Sequence, residues 1–144
     1  MYLTIIETHF CDCEFKFTLY SFRHHCREAT QDEKLQLDKK LKEMEANTIA
    51  NLHECELNVE KLRRETTTNM VKFALFKIVA MDSISNNNSD RKAVGREIGV
   101  FHRQTVVPCK LPMIQAEMAL LRAQDKMHML LPEIRVRIQM LNVR

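Results

Sequence analysis

Cys11, Cys13, His24, His25 and Cys26 crowd thiols and imidazoles into one short stretch. These are the ligand types that hold Zn²⁺ in a tetrahedral site. Cys11 and Cys13 would share one side of an extended segment, which suits two ligands of one ion. Cys-x-Cys is not the usual knuckle spacing, however, and no glycine follows to fold the chain back towards His24. The competing reading makes Cys11 and Cys13 core-facing and leaves His24 and His25 on a solvated connector, since free cysteine is among the most buried residue types. No metal and no cofactor are therefore expected. A small zinc-stabilised module on Cys11, Cys13, His24 and Cys26 is the alternative.

His53, Glu54 and Cys55 are the next chemically capable group. Adjacent helical residues point in different directions, so they cannot form a local Cys–His pair. Cys55 is better read as an apolar helix position. The sequence has no glycine-rich phosphate loop, no Gly-x-Ser-x-Gly and no His-Glu-x-x-His, the short patterns that carry phosphoryl, acyl or metal-hydrolytic chemistry. The expectation is therefore a protein that is not an enzyme.

Arg91, Lys92, Arg96, Arg103 and Lys110, with His102, form a basic cluster beside one aromatic, Phe101. Phosphate contacts need such charge, but single-strand binding also uses stacking aromatics, and none follows Phe101. A solvated basic face, or a dock for an acidic partner, is the simpler reading. A nucleic-acid-associated protein using residues 91–110 is kept as an alternative.

Composition limits what can position these residues. A chain of 144 residues suits one domain with a modest core. Only 2 glycines and 3 prolines favour helix over a turn-rich all-β fold. The net charge of +3 is too small to argue for nucleic acid, but it is uneven. Residues 1–65 hold 13 acids and 10 bases; residues 66–144 hold 6 acids and 12 bases. The two parts could attract one another, within one chain or between chains. An odd count of 5 cysteines and a start without a basic leader lead us to expect free thiols in a reducing, intracellular setting. The cytoplasm fits first, with a mitochondrial or nuclear location as alternatives. The apolar block at 70–81 contains Lys72 and Lys77 and falls short of the roughly 20 apolar residues of a spanning helix.

Residues 30–82 dominate the chain. Thr30 and Glu33 form a capping-box pattern, and Asp32 and Glu33 suit the positive end of a helix dipole. Leu37, Leu41 and Met44 mark one face. After a slip of eleven residues the face resumes as Leu52, Cys55, Val59, Leu62, Thr66, Met70, Phe73, Phe76 and Ala80. That spacing is a coiled-coil seam with a local stutter. Leu52, Val59, Leu62, Met70, Phe73 and Phe76 are its candidate partner-interface residues. Asp38 with Lys42, and Glu60 with Arg64, are correctly oriented i,i+4 pairs. Thr66, Thr67 and Thr68 are three β-branched residues in a row, where the helix would break if it folded back as a hairpin. Unbroken, it would run about 75 Å at 1.5 Å per residue and call for a helical partner.

Residues 83–89 read as a linker, followed by a short helix over 90–104 with Val94, Ile98 and Phe101 inward. Gly95 and Gly99 weaken that helix, although their spacing would permit a close helix approach. Residues 105–112 read as extended and proline-bounded. A second helix covers 111–131, with Ile114, Met118 and Leu121 as one stripe and Leu120, Ala123, Met127 and Leu130 widening it. Its many methionines suit either an adaptable binding face or, more simply, a core.

Two segments alternate with a period of two. Residues 11–19 put Cys11, Cys13, Phe15, Phe17 and Leu19 on one side. Residues 134–140 do the same with Ile134, Val136, Ile138 and Met140. Both read as strands, and pairing would bring Asp12 and Glu14 against Arg135 and Arg137. Residues 134–140 could instead continue the helix, with Pro132 only kinking it.

The sequence thus predicts a mainly α fold: a long coiled-coil-like helix, shorter helices, and short strands at both termini. The segments are 1–29, strand-like; 30–82, long helix or helical hairpin; 83–89, linker; and 90–144, basic and helical with a C-terminal strand. The function expected is that of a helical interaction or scaffold protein, joined through its seam to a protein partner or to its own copies, with no transmembrane segment.

Overall fold

The computed structural model of the protein describes residues 20–84 and 88–143. These form four helices and, among the described residues, no strand. Helix α1 includes residues 20–28. Helix α2 is Gln31–Asp82, α3 is Asn88–Thr105 and α4 is Val107–Asn142. The mainly helical fold with one long helix is as expected. The proposed strand at 11–19 lies outside the described residues, and so do Cys11 and Cys13.

The start of α2 follows from its sequence. The backbone amide of Thr30 donates to the Glu33 carboxylate at 2.8 Å, and the Glu33 amide donates to the Thr30 hydroxyl at 3.4 Å. This reciprocal pair satisfies two amides that the first turn would leave without helical partners. The bond from the Thr30 amide, followed by the Thr30 hydroxyl, holds the Glu33 carboxyl below its ordinary pKa.

The helix does not break at its threonines. Thr67 and Thr68 turn their hydroxyls back onto the carbonyls of Arg63 and Arg64, both at 2.9 Å. The local β-branched penalty is a few tenths of a kcal/mol per residue. The inner row that passes through Thr66 outweighs it, with buried Val59 and half-buried Leu62 before and half-buried Phe73 and Phe76 after. Residues 30–82 are therefore one helix, not a hairpin. At its far end Ser83 closes the last turn, its hydroxyl donating to the Ala80 carbonyl at 2.8 Å.

The described residues belong to two compact units. One comprises Met1–Asn51 and Gln124–Arg144, the other Leu52–Ala123. In the first, Cys26, Leu41, Ile134 and Leu141 are buried, and Phe22, Leu37, Leu130 and Ile138 pack on them. Full burial of such side chains is worth roughly 1.5–3 kcal/mol each. Arg137 lays its guanidinium 5.1 Å from the centroid of the Phe22 ring and pairs with Glu133. Arg135 donates to Glu45 at 2.9 Å.

These contacts correct the C-terminal strand. Residues 134–140 are helical, part of α4. The alternating pattern hides a helical one: Ile134, Ile138 and Leu141 are spaced four and three apart and share the inner face. Arg135 and Arg137 find carboxylates on helices at Glu45 and Glu133. Glu45 and Thr48 also account for the stutter, because they occupy the inner-row positions between Leu41 and Leu52.

In the second unit, α2 and α4 run antiparallel. Asn69 meets Cys109, and six residues earlier on α2 Arg63 meets Glu117, at 3.9 Å. Val59, Val106, Ala116 and Ala123 are its buried apolar residues. Helix α3 leans on α2 through aromatic rings. Phe76 stacks on Phe101 with centroids 4.3 Å apart, and His102 sits edge-on to Phe73 at 4.9 Å. Val106 alone separates α3 from α4, its amide bonded to the His102 carbonyl at 2.9 Å. The segment expected to be extended at 105–112 is instead the end of α3, the single linking residue Val106 and the first turns of α4. Pro108 falls in the first turn, where no intrahelical amide is needed.

Candidate interaction surfaces

The residues with potential chemistry are dispersed. Cys26 is only 5% exposed, inside the apolar core of the first unit. Burial pushes its thiol pKa up, against the opposing charge of Lys34. His24, two residues earlier on α1, faces outward beside Glu28, at 3.8 Å. Cys26 and His24 therefore do not converge on a common point. His53 pairs with Glu56 at 3.8 Å on the exposed side of α2, while Cys55 lies on the inner row. Among the described residues no three His, Cys, Asp or Glu side chains come together in a way that could hold a metal ion.

The basic cluster keeps its charge on the surface. Arg91, Lys92, Arg96, Arg103 and Lys110 are all exposed. Lys92, Arg96 and Arg103, with Gly95, Gly99 and Val100, line an open depression of about 650 Å³ along α3. Apart from its own helix, nothing lies within 4 Å of where a Cβ on Gly95 would stand. The glycine pair does not serve a close helix contact among the described residues. Phe101 and His102 point the other way, into the aromatic contacts with α2. The one aromatic beside the basic cluster is thus committed to packing and is not presented for base stacking.

The expected seam residues of α2 divide. Leu52, Val59, Leu62, Phe73 and Phe76 lie on the inner row, with Val59 only 4% exposed. Met70 does not join them and is 55% exposed. Asn69 takes that position and donates to the Cys109 sulfur at 3.1 Å. Steps of three and four from Thr66 allow either residue, and hydrophobicity favours the wrong one.

Two further apolar rows face outward. On α2 they are Val71, Leu75, Ile78 and Val79, all more than half exposed. On α4 they are Leu111 at 62%, Ile114 at 52%, Met118 at 48% and Leu121 at 60%, preceded by Val107. The inner row of α4 in this unit is Cys109, Met113, Ala116, Leu120 and Ala123. Each row steps by four and three, and at about 3.6 residues per turn the two lie on nearly opposite sides of the helix. Ile114, Met118 and Leu121, expected as part of a core stripe, are on the open side. No protein family, curated protein or solved structure gives a significant match to this chain. No helix among the described residues is long and apolar enough to cross a membrane.

Proposed function

We propose that this protein is a non-enzymatic helical interaction or scaffold subunit, which assembles with a protein partner or with its own copies. The observation that carries this reading is the outward apolar row Leu111, Ile114, Met118 and Leu121, on the side of α4 opposite its packed row. A helix that is apolar on both sides is ordinarily a buried helix. Clustered exposed apolar residues of this kind mark association sites in soluble proteins. Covering four half-exposed side chains on each partner would contribute several kcal/mol at roughly 1.5–3 kcal/mol for each full burial. Static light scattering with melting curves over a hundredfold range of concentration tests the reading. Association predicts a mass above the monomer and a midpoint that rises with concentration. A monomer whose midpoint ignores concentration, and which stays unprecipitated, would count against it.

The exposed basic side chains along α3 support a second reading, a nucleic-acid-associated protein using residues 91–110. Its signature is affinity for nucleic acid that falls steeply with added salt. Absence of binding at low salt removes it.

A further inference from the structure

We infer that the outer face of α4 pairs with the same face of a second copy of this chain, the two α4 helices lying parallel about a twofold axis. This rests on the association reading above and names its surface, occupant and direction. Three observations on α4 support it.

The first is spacing. Val107, Leu111, Ile114, Met118 and Leu121 step by four, three, four and three. This is the repeat that keeps one row facing a partner helix, with Leu111 and Met118 at one kind of seam position and Val107, Ile114 and Leu121 at the other. The second is exposure: all five are between 44% and 62% exposed, so no described residue covers the row. The third is charge. Glu117 and Arg122 flank the row on opposite edges and are both exposed. In parallel pairing, the residue before one seam position faces the residue five further along on the partner. Glu117 would then meet Arg122 of the second copy, and the twofold axis gives the pair twice. An antiparallel pairing that keeps Leu111 to Leu121 fully overlapped would set Glu117 against Glu117 of the other copy. The charges thus favour the parallel arrangement and a like partner, and a twofold interface presents the same patch from both sides.

The flanking pair gives a test that a role within one chain cannot imitate. Glu117 and Arg122 are five apart on one helix, too far round to pair with each other. E117R sets Arg against Arg and should weaken the dimer about 3–30-fold, since two exposed pairs of up to about 1 kcal/mol are lost. R122E should do the same, and the double variant E117R/R122E should restore most of the affinity. A contact confined to the chain, Glu117 with Arg63, would be left broken in the double variant and gives no rescue.

Direction is read by cross-linking. In the full-length Ile114→Cys variant, mild oxidation should yield a 114–114 disulfide between copies, mapped by peptide mass spectrometry. Val100→Cys, on the exposed side of α3, should yield none. A chain that self-associates without the 114–114 link and without charge-swap rescue would overturn this inference but leave the association reading standing. A chain that is monomeric at every concentration and binds no partner would remove both.

Discussion

Asn69 donates its side-chain amide to the sulfur of Cys109 at 3.1 Å, and the Cys109 thiol donates to the Thr105 carbonyl at 3.3 Å. This polar chain lies between Leu62 and Phe73 on the inner row, where α2 meets the first turn of α4. A polar residue at a seam position holds helices in one alignment at some cost in stability. Asn69→Leu should therefore raise stability by about 1 kcal/mol, because leucine gains burial and Cys109 keeps its carbonyl acceptor. Urea denaturation measures it. A clear loss of stability would show that the bond to Cys109 outweighs the apolar gain.

The contact between α3 and α2 rests on aromatic rings. Phe76→Ala removes the ring stacked on Phe101 and should cost about 2–3 kcal/mol, below the range for a fully buried phenylalanine because Phe76 is half-buried. Val79→Ala, on the exposed side of the same helix, should stay within about 0.5 kcal/mol. Equal effects of the two in chemical denaturation would contradict this placement of the rings.

Burial of Cys26 gives stability an alkaline limb. Its thiol pKa is raised above the ordinary 9.0 in the folded chain, by burial first, with Lys34 opposing. A raised pKa means that the stabilisation is fully present below the ordinary value and is lost as pH climbs towards the folded one. The urea midpoint should fall as pH rises above the ordinary value of 9.0, and Cys26→Ala should flatten that fall. Cys26 should also react with an alkylating reagent more slowly than Cys55, which is only half-buried.

The capping box gives the acid counterpart. Glu33 has its pKa lowered from the ordinary 4.5 by its bonds to Thr30. Its contribution is present above that value and fades as pH falls through the folded one. Thr30→Ala should cost about 1 kcal/mol at neutral pH, and carbon-13 NMR should find the Glu33 carboxyl titrating higher in that variant. Alanine keeps the backbone amide that holds the carboxylate most strongly, so an unchanged titration would mean that the Thr30 hydroxyl adds nothing to that hold.

The elements of this fold that depend on local chemistry were legible in the sequence. Thr30 and Glu33 announced the start of α2, and Val94, Ile98 and Phe101 announced the inner side of α3. What was not legible turns on competition between patterns. Ile134 to Met140 satisfies a strand period and a helix period together, and packing against Leu41 and Cys26 selects the helix. Thr66, Thr67 and Thr68 argue for a break by propensity, yet their neighbours on the inner row carry the helix through. On α4 both Ile114–Met118–Leu121 and Met113–Leu120–Ala123 are apolar enough to be core. Only the packed chain shows which set is inside and which set is left exposed.

Sedimentation equilibrium of the full chain beside a Leu111→Glu/Leu121→Glu variant decides whether the outer row of α4 joins two copies. Both leucines are exposed in the single chain, so the variant should keep its helical circular dichroism. The unaltered protein should sediment at twice the monomer mass and the variant as a monomer. Identical sedimentation of two equally folded proteins would contradict that pairing.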